Sequence, residues 1–430
     1  MAAVKLFYSD APGRGEIIRL VLSVAGVDFD DVRYKYEDWP KYKPEAPFGQ
    51  APFIEYNGKK YGQSVAIANF FSRENGLYGA SNLEAFRIDE VAGLVQDLFT
   101  CLIPVFIEKD PAKKEELRAA MVKNDAPRFF GFFQKFLQEN GTGYLVGNKL
   151  SLGDLIIYDM TTQLLKTFQY DAAADFPEIK TLVDNVEGNE NIKAYIDSRK
   201  SVSCQPHHRQ QSAAADSKAT SAAKPRFKSK MAAVKLFYFD TPGRGELIRL
   251  VLAEAGVEFE DVRFKQEDWP KYKPEAPFGQ SPFIEYNGKK RAQSVAIANF
   301  FARENGLYGA NNLEAFRIDE VMGLMQDFFN FLVPVYMEKD PAKKEELRLA
   351  MVKNDAPRFF GFVLKLLQEN GTGYFVGNKL SLADIIVYDM ATQLRDVFSC
   401  DVAADFPEIK ALVEKVSSNE NIKKYIDSRK

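Results

Sequence analysis

Residues 4–22 read VKLFYSDAPGRGEIIRLVL. The apolar run Val4–Tyr8 predicts a short buried strand. The turn Pro12-Gly13-Arg14 predicts a helix start, because proline in a first helical turn lacks only an amide hydrogen that would have no partner there. Helical spacing then places on one face Ile17, Ile18, Val21, Leu22 and Ala25. The stretch therefore predicts a strand–turn–helix unit with one buried helix face.

Outward from this unit, the first 80 residues predict a small mixed sheet. A second strand is expected over 29–35. Asn57-Gly58 is a strong tight-hairpin signal and joins two further strands, expected over 52–56 and 60–63. The glycines of the first turn do not continue into GxGxxG, which argues against a dinucleotide-binding fold.

The remainder of the unit predicts helices. Ser64 is expected to cap a helix that ends near Asn75. Amphipathic periodicity then marks five more helices, over 82–109, 113–140, 152–167, 177–186 and 191–198. The predicted fold class is an α/β domain followed by an all-helical domain.

The whole unit occurs twice. Met1–Lys200 recurs as Met231–Lys430 without gaps, and about four positions in five agree. We therefore expect domains over 1–80 and 81–200 in copy 1 and over 231–310 and 311–430 in copy 2. Residues 201–230 are polar and basic, which predicts a flexible linker with a reach of roughly 30 Å.

Residue counts exclude several kinds of chemistry. The only histidines, His207 and His208, lie in the predicted linker, which excludes histidine-based nucleophilic catalysis and Cys/His zinc sites in the folded parts. We expect no metal. Three cysteines without a CxxC pair fit a reducing cytoplasm. A net charge of −3 argues against nucleic-acid binding, and no apolar run approaches the ~20 residues of a membrane span.

These features together resemble the cytosolic glutathione S-transferases, and most closely the sigma class, which includes nematode transferases and the haematopoietic prostaglandin D synthases. The resemblance covers both copies and omits only the linker. It implies that each N-terminal domain is thioredoxin-like and binds glutathione. It also implies conjugation of the glutathione thiolate to small hydrophobic electrophiles, with two sites per chain.

Tyr8 and Tyr238 are the predicted catalytic residues. A phenol with a pKa near 10 is a hydrogen-bond donor at neutral pH, and a donor directed at a thiolate lowers the pKa of the thiol. Arg14 and Arg244 on the following helix would add positive charge. Ser9 is a rival in copy 1, but copy 2 has Phe239 there, and one mechanism for both copies favours tyrosine.

The resemblance assigns glutathione contacts in each copy. In copy 1 it assigns Trp39, Lys43, Gln50, Ala51, Pro52, Gln63, Ser64 and Asp97. In copy 2 it assigns Trp269, Lys273, Gln280, Ser281, Pro282, Gln293, Ser294 and Asp327. Residue types alone also allow plain structural roles, such as an ordinary helix cap at Ser64 or a buried loop anchor at Trp39.

The electrophile pocket is expected to include Ser9, Phe239, Phe99 and Phe329. Two alternative functions stay open: a glutathione-dependent prostaglandin H2 isomerase, and a non-catalytic ligand-binding or structural protein. Gly93 and Gln96 stand where the prostaglandin synthase branch has carboxylates, which disfavours a metal-stimulated isomerase. In the resembled family Asp97 reaches a neighbouring site, so we expect either an intramolecular pseudo-dimer of the copies or a dimer of chains.

Overall fold

The computed structural model describes residues 4–201 and 234–429. Of the predicted linker, 201–230, only Ser201 is among the described residues, and it is the last residue of a helix. Each copy has a four-stranded mixed sheet followed by helices, which confirms the predicted thioredoxin-like and all-helical pair.

In copy 1 the strands are β1 (Val4–Ser9), β2 (Phe29–Tyr34), β3 (Phe53–Tyr56) and β4 (Lys59–Tyr61). The helices are α1 (Gly13–Val24), α2 (Trp39–Tyr42), α3 (Ser64–Glu74), α4 (Asn82–Ile107), α5 (Pro111–Ala120), α6 (Ala126–Asn140), α7 (Leu152–Phe168), α8 (Ala172–Asp175), α9 (Pro177–Glu187) and α10 (Glu190–Ser201).

Copy 2 repeats the order. Its strands are β5 (Val234–Phe239), β6 (Phe259–Phe264), β7 (Phe283–Tyr286) and β8 (Lys289–Ala292). Its helices are α11 (Gly243–Glu254), α12 (Trp269–Tyr272), α13 (Ser294–Glu304), α14 (Asn312–Met337), α15 (Pro341–Ala350), α16 (Ala356–Asn370), α17 (Leu382–Phe398), α18 (Pro407–Ser417) and α19 (Glu420–Ser428).

The sheet order is β2-β1-β3-β4, with β1 and β2 parallel and the other pairs antiparallel. Asn57 and Gly58 both have positive φ, as the predicted hairpin turn requires. β1 thus lies inside the sheet, and its last residues, Tyr8 and Ser9, are held at the edge where α1 begins.

Two details of the prediction are wrong. The helix expected over 113–140 is interrupted by a π-helical turn at Met121–Asp125. Pro127 explains the interruption, because it has no amide hydrogen to continue the regular ladder. Ser64 is also not a cap. It is the first helical residue of α3, and the preceding Gln63, at φ 63°, occupies the cap position without a capping side chain.

The two copies pack through helices at the centre of the molecule, α3 on α14 and α13 on α4. Arg73 Nη2 of copy 1 donates to Asp319 Oδ2 of copy 2 at 2.7 Å, and Arg303 Nη2 donates to Asp89 Oδ2 at 2.7 Å. All four side chains are largely buried. Charges in such a place are stable only when paired.

Tyrosines complete this central network. The Tyr78 hydroxyl donates to Asp89 of its own copy, and Tyr308 donates to Asp319. Burial raises the pKa of both phenols well above 10, so both remain donors. Among the described residues one helix, α4, is long and apolar enough to cross a membrane; here it is a packing helix with Asp89 and Glu90 buried.

The interface is not symmetric beside this network. Glu320 Oε1 accepts the Gly62 amide at 2.8 Å, and burial raises the pKa of Glu320 to about 7. The equivalent Glu90 accepts the Ala292 amide at 3.1 Å and also lies 3.6 Å from Arg291. Copy 1 has Tyr61 at the position of Arg291, so each side of the interface has its own chemistry.

Aromatic side chains from the loop before β3 and before β7 insert into the opposite copy. Phe48, 4% exposed, contacts the core of copy 2, with its ring 5.8 Å from Phe362. Phe278 lies between Phe132 and Phe136 of copy 1, at 5.2 and 5.7 Å. Burying these rings joins the two hydrophobic cores.

Phe48→Ala is expected to lower the free energy of unfolding by about 3–5 kcal/mol, because it leaves a cavity in the inter-copy contact. Urea denaturation measures the change. Phe106→Ala is the control, since Phe106 is 56% exposed and its removal should cost far less. Equal losses in the two variants would contradict a buried role for Phe48.

Candidate functional site

The first turn of α1 is shaped to receive Tyr8. The Arg14 amide donates to the Tyr8 hydroxyl at 3.1 Å. A Cβ on Gly13 would lie 2.5 Å from that hydroxyl, and one on Gly15 would lie 2.4 Å from the ring. Glycine at both positions therefore lets the phenol reach the helix N-terminus. Since its oxygen accepts the Arg14 amide, the phenolic hydrogen is available to a second partner.

Copy 2 has the same arrangement but a more buried phenol. The Arg244 amide donates to the Tyr238 hydroxyl at 3.0 Å, and Tyr238 is 8% exposed. Burial raises the pKa of Tyr238, although the Arg244 amide and charge act in the opposite direction. Tyr238 is therefore a neutral donor at pH 7. Phe239 contributes to the burial, with its ring 5.5 Å from that of Tyr238.

A cleft between the two copies, called here the central cleft, is lined by residues of both. Each copy contributes an aspartate to the other copy's half of this cleft. Gln63 Nε2 donates to Asp327 Oδ2 at 3.1 Å, and Gln293 Nε2 donates to Asp97 Oδ2 at 2.9 Å. Arg14 also lies 3.9 Å from Asp327. The structure thus brings the sequence-predicted residues Arg14, Gln63 and Asp327 together, and Asp327 comes from the other copy, as the intramolecular pseudo-dimer predicts.

Gly93 and Gly323 each lie against a glutamine side chain of the other copy. A Cβ on Gly93 would lie 2.6 Å from Gln293 Oε1, and one on Gly323 would lie 2.7 Å from Gln63 Oε1. A carboxylate side chain at Gly93 would displace the amide that reaches Asp97. The glycine noted in the sequence thus leaves room for the Gln293 side chain in its present position.

The remaining predicted contacts lie along the loop from β2 to β3. Trp39 is half-buried against Tyr34, with 5.8 Å between ring centroids, whereas Lys43 and Gln50 are exposed. The Ala51–Pro52 peptide bond is cis. In copy 2 Trp269 stacks on Phe264 at 5.8 Å, Lys273 and Gln280 are exposed, and Ser281–Pro282 is cis.

Two cavities adjoin these residues. The larger, about 180 Å³, is the central cleft, lined by both copies, including Ser64, Ser294 and Phe329. The smaller, about 70 Å³, lies within copy 1 beside Arg14 and is lined in part by Phe99. Ser9 and Phe239 are not among the described residues that line either cavity; Phe239 packs on Trp269, with 5.8 Å between ring centroids.

Sequence reasoning missed a buried acid that lines the smaller cavity. Gln163 Nε2 donates to Asp159 Oδ1 at 2.8 Å and to the Gly13 carbonyl at 3.3 Å. Burial, reinforced by the nearby Glu16, raises the pKa of Asp159 to about 8 despite the Gln163 bond. The sequence did contain a signal for this buried acid. An Asp and a Gln lie four residues apart on the apolar face of the predicted helix, and the same pair recurs as Asp389 and Gln393.

Within residues 4–201 and 234–429, no three His, Cys, Asp or Glu side chains are grouped so that they could hold a metal ion. The polar groups of the candidate site are phenols, guanidinium and ammonium groups, amides, hydroxyls and single carboxylates.

Comparison with known proteins gives the same division of the chain. The N-terminal domain of glutathione S-transferases matches residues 3–73 and 234–303. The C-terminal domain of glutathione S-transferases matches residues 96–199 and 326–429. Each copy therefore contains both domains of this class of protein, in the order that the fold shows.

Individual relatives match one copy at a time. A probable glutathione S-transferase 7 of Caenorhabditis elegans is 38% identical over 200 residues, 45% of this chain and 96% of the relative. The S-crystallin SL11 of Nototodarus sloanii is 32% identical over 202 residues, which are 46% of this chain and 98% of the relative. The solved glutathione S-transferase Na-GST-3 of Necator americanus is 39% identical. The match covers 46% of this chain and 98% of that structure's chain, with a TM-score of 0.43.

The chain belongs to the glutathione S-transferase family. It is a tandem member of the nematode, sigma-like branch, with a complete pair of domains in each copy.

Asp159→Asn is expected to stabilise the protein at pH 8 by a few kcal/mol, and by much less at pH 5. The folded chain keeps Asp159 protonated up to about pH 8, whereas the unfolded chain ionises it near pH 4, so wild-type stability falls between these values. Urea denaturation at both pH values measures the difference. Asp30→Asn, at an exposed carboxylate, is the control, and an equal pH dependence in both variants would contradict the assignment.

Proposed function

We propose that each copy binds glutathione and adds its thiolate to a small hydrophobic electrophile, with Tyr8 and Tyr238 as the activating residues. The observation that carries the proposal is the phenol at the N-terminus of α1 and of α11, whose oxygen accepts a backbone amide. That bond leaves the phenolic hydrogen free for a sulfur anion. The chain is thus a two-site enzyme in a cytoplasmic, detoxifying role.

The chemistry follows from the donor. A hydrogen bond to the thiolate favours the charged form and lowers the pKa of the thiol from about 8.5. Arg14 is exposed on the same turn, and its charge acts in the same direction. Holding the thiolate beside the electrophile makes the bond-forming step effectively unimolecular. No histidine base is required.

Glutathione has an amine and two carboxylates, and the site offers partners for each. The γ-glutamyl end would meet Gln63, the first-turn amides at Ser64 and the carboxylate of Asp327, which are gathered at the central cleft. The glycine end would extend toward Trp39 and Lys43. The cysteinyl backbone would lie at Gln50, Ala51 and Pro52, and in copy 2 the partners are Trp269, Lys273, Gln280, Ser281, Pro282, Gln293, Ser294 and Asp97.

We also propose that the two copies act as an intramolecular pseudo-dimer in solution. Support comes from the inter-copy pairs of Gln63 with Asp327 and of Gln293 with Asp97. A short tether gives an effective concentration in the millimolar range, which favours pairing within a chain. The expected sedimentation mass is that of one chain, 48.6 kDa.

The double variant Tyr8→Phe/Tyr238→Phe is expected to lose turnover on the order of 10²-fold while still binding glutathione, because it removes only the donor to the thiolate. Conjugation of 1-chloro-2,4-dinitrobenzene measures turnover, and calorimetry measures binding. Tyr36→Phe, at a residue 83% exposed, is the control.

Near wild-type turnover in the double variant would contradict the assigned role of the phenols. Binding without any turnover by the wild-type chain would instead favour a non-catalytic ligand-binding or structural protein. With prostaglandin H2 as substrate, recovery of glutathione would mark isomerisation and its consumption would mark transfer.

Asp327→Asn in a Tyr238→Phe background is expected to raise the KM of copy 1 for glutathione about tenfold with little change in kcat, since the lost charge only binds the amine. Steady-state kinetics measure both constants. Asp97→Asn in the same background is the matched comparison. If Asp97→Asn raises this KM instead, copy 1 of one chain pairs with copy 1 of a second chain. The proposed intramolecular arrangement would then be wrong.

A further inference from the structure

The peptide group between Gly13 and Arg14 is hydrogen-bonded at both ends. Its N–H, which belongs to Arg14, donates to the Tyr8 hydroxyl at 3.1 Å. Its carbonyl, which belongs to Gly13, accepts from Gln163 Nε2 at 3.3 Å. A trans peptide is planar and directs its carbonyl and its N–H to opposite sides. The glutamine and the phenol therefore hold one rigid group from opposite sides.

The glutamine belongs to the helical domain, whereas the peptide belongs to the thioredoxin-like domain. Gln163 lies on α7, which packs against α1. A side-chain amide nitrogen has two hydrogens, and both are used, since Nε2 also donates to Asp159 Oδ1 at 2.8 Å. Asp159 is one helical turn earlier on α7. Its carboxyl therefore fixes the direction in which the amide donates to the peptide.

Copy 2 contains the same series of bonds. Gln393 Nε2 donates to the Gly243 carbonyl at 3.2 Å and to Asp389 Oδ1 at 2.9 Å. The Arg244 amide donates to the Tyr238 hydroxyl at 3.0 Å. Gln393 is only 4% exposed, so water has little access to these bonds. The series of acid, glutamine, peptide and phenol is therefore present at both proposed sites.

The acid at the start of the series adds no charge near the thiolate. Burial raises the pKa of Asp159 to about 8, so its carboxyl is neutral at pH 7. An ionised carboxylate at this place would repel a negative charge on sulfur and raise the pKa of the thiol. A neutral acid avoids that repulsion and still accepts the Gln163 hydrogen through one oxygen.

Hydrogen bonds that share one peptide strengthen each other. Donation to the Gly13 carbonyl draws electron density toward its oxygen and leaves the Arg14 N–H more positive. That N–H then makes a stronger bond to the Tyr8 oxygen. Because electron density is withdrawn from the phenol in turn, its hydrogen becomes a better donor to the thiolate. Each bond in such a series gains about 10–30% in strength.

We propose that Gln163 and Gln393 are positioning residues that set the donor strength of Tyr8 and Tyr238. The proposal rests on the proposed function, because each glutamine acts on the glutathione thiol only through the peptide and the phenol of its copy. The tyrosines and arginines assigned to thiol activation all lie in the thioredoxin-like domains. The glutamines give the helical domains a part in the same activation.

The first test is the pKa of the glutathione thiol bound to the full chain, measured as the ultraviolet absorbance of the thiolate against pH. Gln163→Met/Gln393→Met removes both donors at similar side-chain size. It should raise the thiol pKa by about half a unit, which is about a threefold loss of thiolate at lower pH. Gln138→Met/Gln368→Met, at exposed glutamines of α6 and α16, is the matched control and should leave that pKa unchanged.

A combination of variants tests whether the effect passes through the phenols. Tyr8→Phe/Tyr238→Phe should raise the thiol pKa by more than the glutamine pair does. Adding Gln163→Met/Gln393→Met to the tyrosine variants should then change it little, because the group on which the glutamines act is absent. A further rise of half a unit in that background would show that the glutamines act elsewhere and would overturn the proposal.

Turnover measures each copy separately. In the Tyr238→Phe background, Gln163→Met should lower kcat/KM about threefold at pH values below the thiol pKa, with little change in the KM for glutathione. In the Tyr8→Phe background, Gln393→Met should do the same. A merely structural role would instead raise this KM and lower turnover equally at every pH. Circular dichroism establishes that each variant folds, and misfolding of one leaves the other decisive.

The outcomes distinguish the two proposals. If the tyrosine pair raises the thiol pKa and the glutamine pair does not, the positioning role is overturned and the phenols keep their proposed role. If the wild-type chain does not bind glutathione, or the tyrosine pair leaves the thiol pKa unchanged, the proposed function fails and the positioning role fails with it. A thiol pKa that the glutamine pair raises only while the tyrosines are present supports the positioning role.

Discussion

The buried charges between the copies are the constraint on which the molecule depends. Asp89 and Asp319 lie on the long central helices, and the arginine that neutralises each belongs to the other copy. An isolated copy would leave one carboxylate and one guanidinium without these partners, and an unpaired buried charge is far more costly than a pair. The pairing also holds α3 against α14 and α13 against α4. Because Gln63 directly precedes α3 and Asp327 lies on α14, and Gln293 and Asp97 stand in the same relation on α13 and α4, the same contacts bring each aspartate to the opposite glutamine.

The sequence predicted the parts of the site that local rules control. The strand–turn–helix at residues 4–22 placed Tyr8 beside Arg14 because strand end, proline and glycine occur at fixed spacing. The hairpin at Asn57-Gly58 followed from turn chemistry alone. These features need no knowledge of the rest of the chain. The gapless repeat then predicted the same site in copy 2.

Other features depend on contacts that no local rule contains. Phe48 occurs in a loop, and nothing in its neighbours indicates that its ring enters the other copy. Asp159 lies among apolar residues of α7, and its raised pKa follows from tertiary burial near Glu16. Gly93 drew notice only as a missing carboxylate, whereas the structure shows an amide of the other copy against it. Helical periodicity continues on both sides of Pro127, so the sequence predicted one helix over 113–140 where the structure has a π-helical turn.

The interface between the copies is unequal at one pair of equivalent positions. Arg291 lies over the ring of Phe86 with Glu90 nearby, while Tyr61 stacks on Phe316 at 4.8 Å. The rings that they meet, Phe86 and Phe316, occupy equivalent positions, so the two sides differ in the side chain at positions 61 and 291. Carrying both copies on one polypeptide fixes their stoichiometry at one to one. A substitution near one of the two proposed sites is then inherited beside an unaltered second site, and the two can diverge in what they recognise without the loss of either.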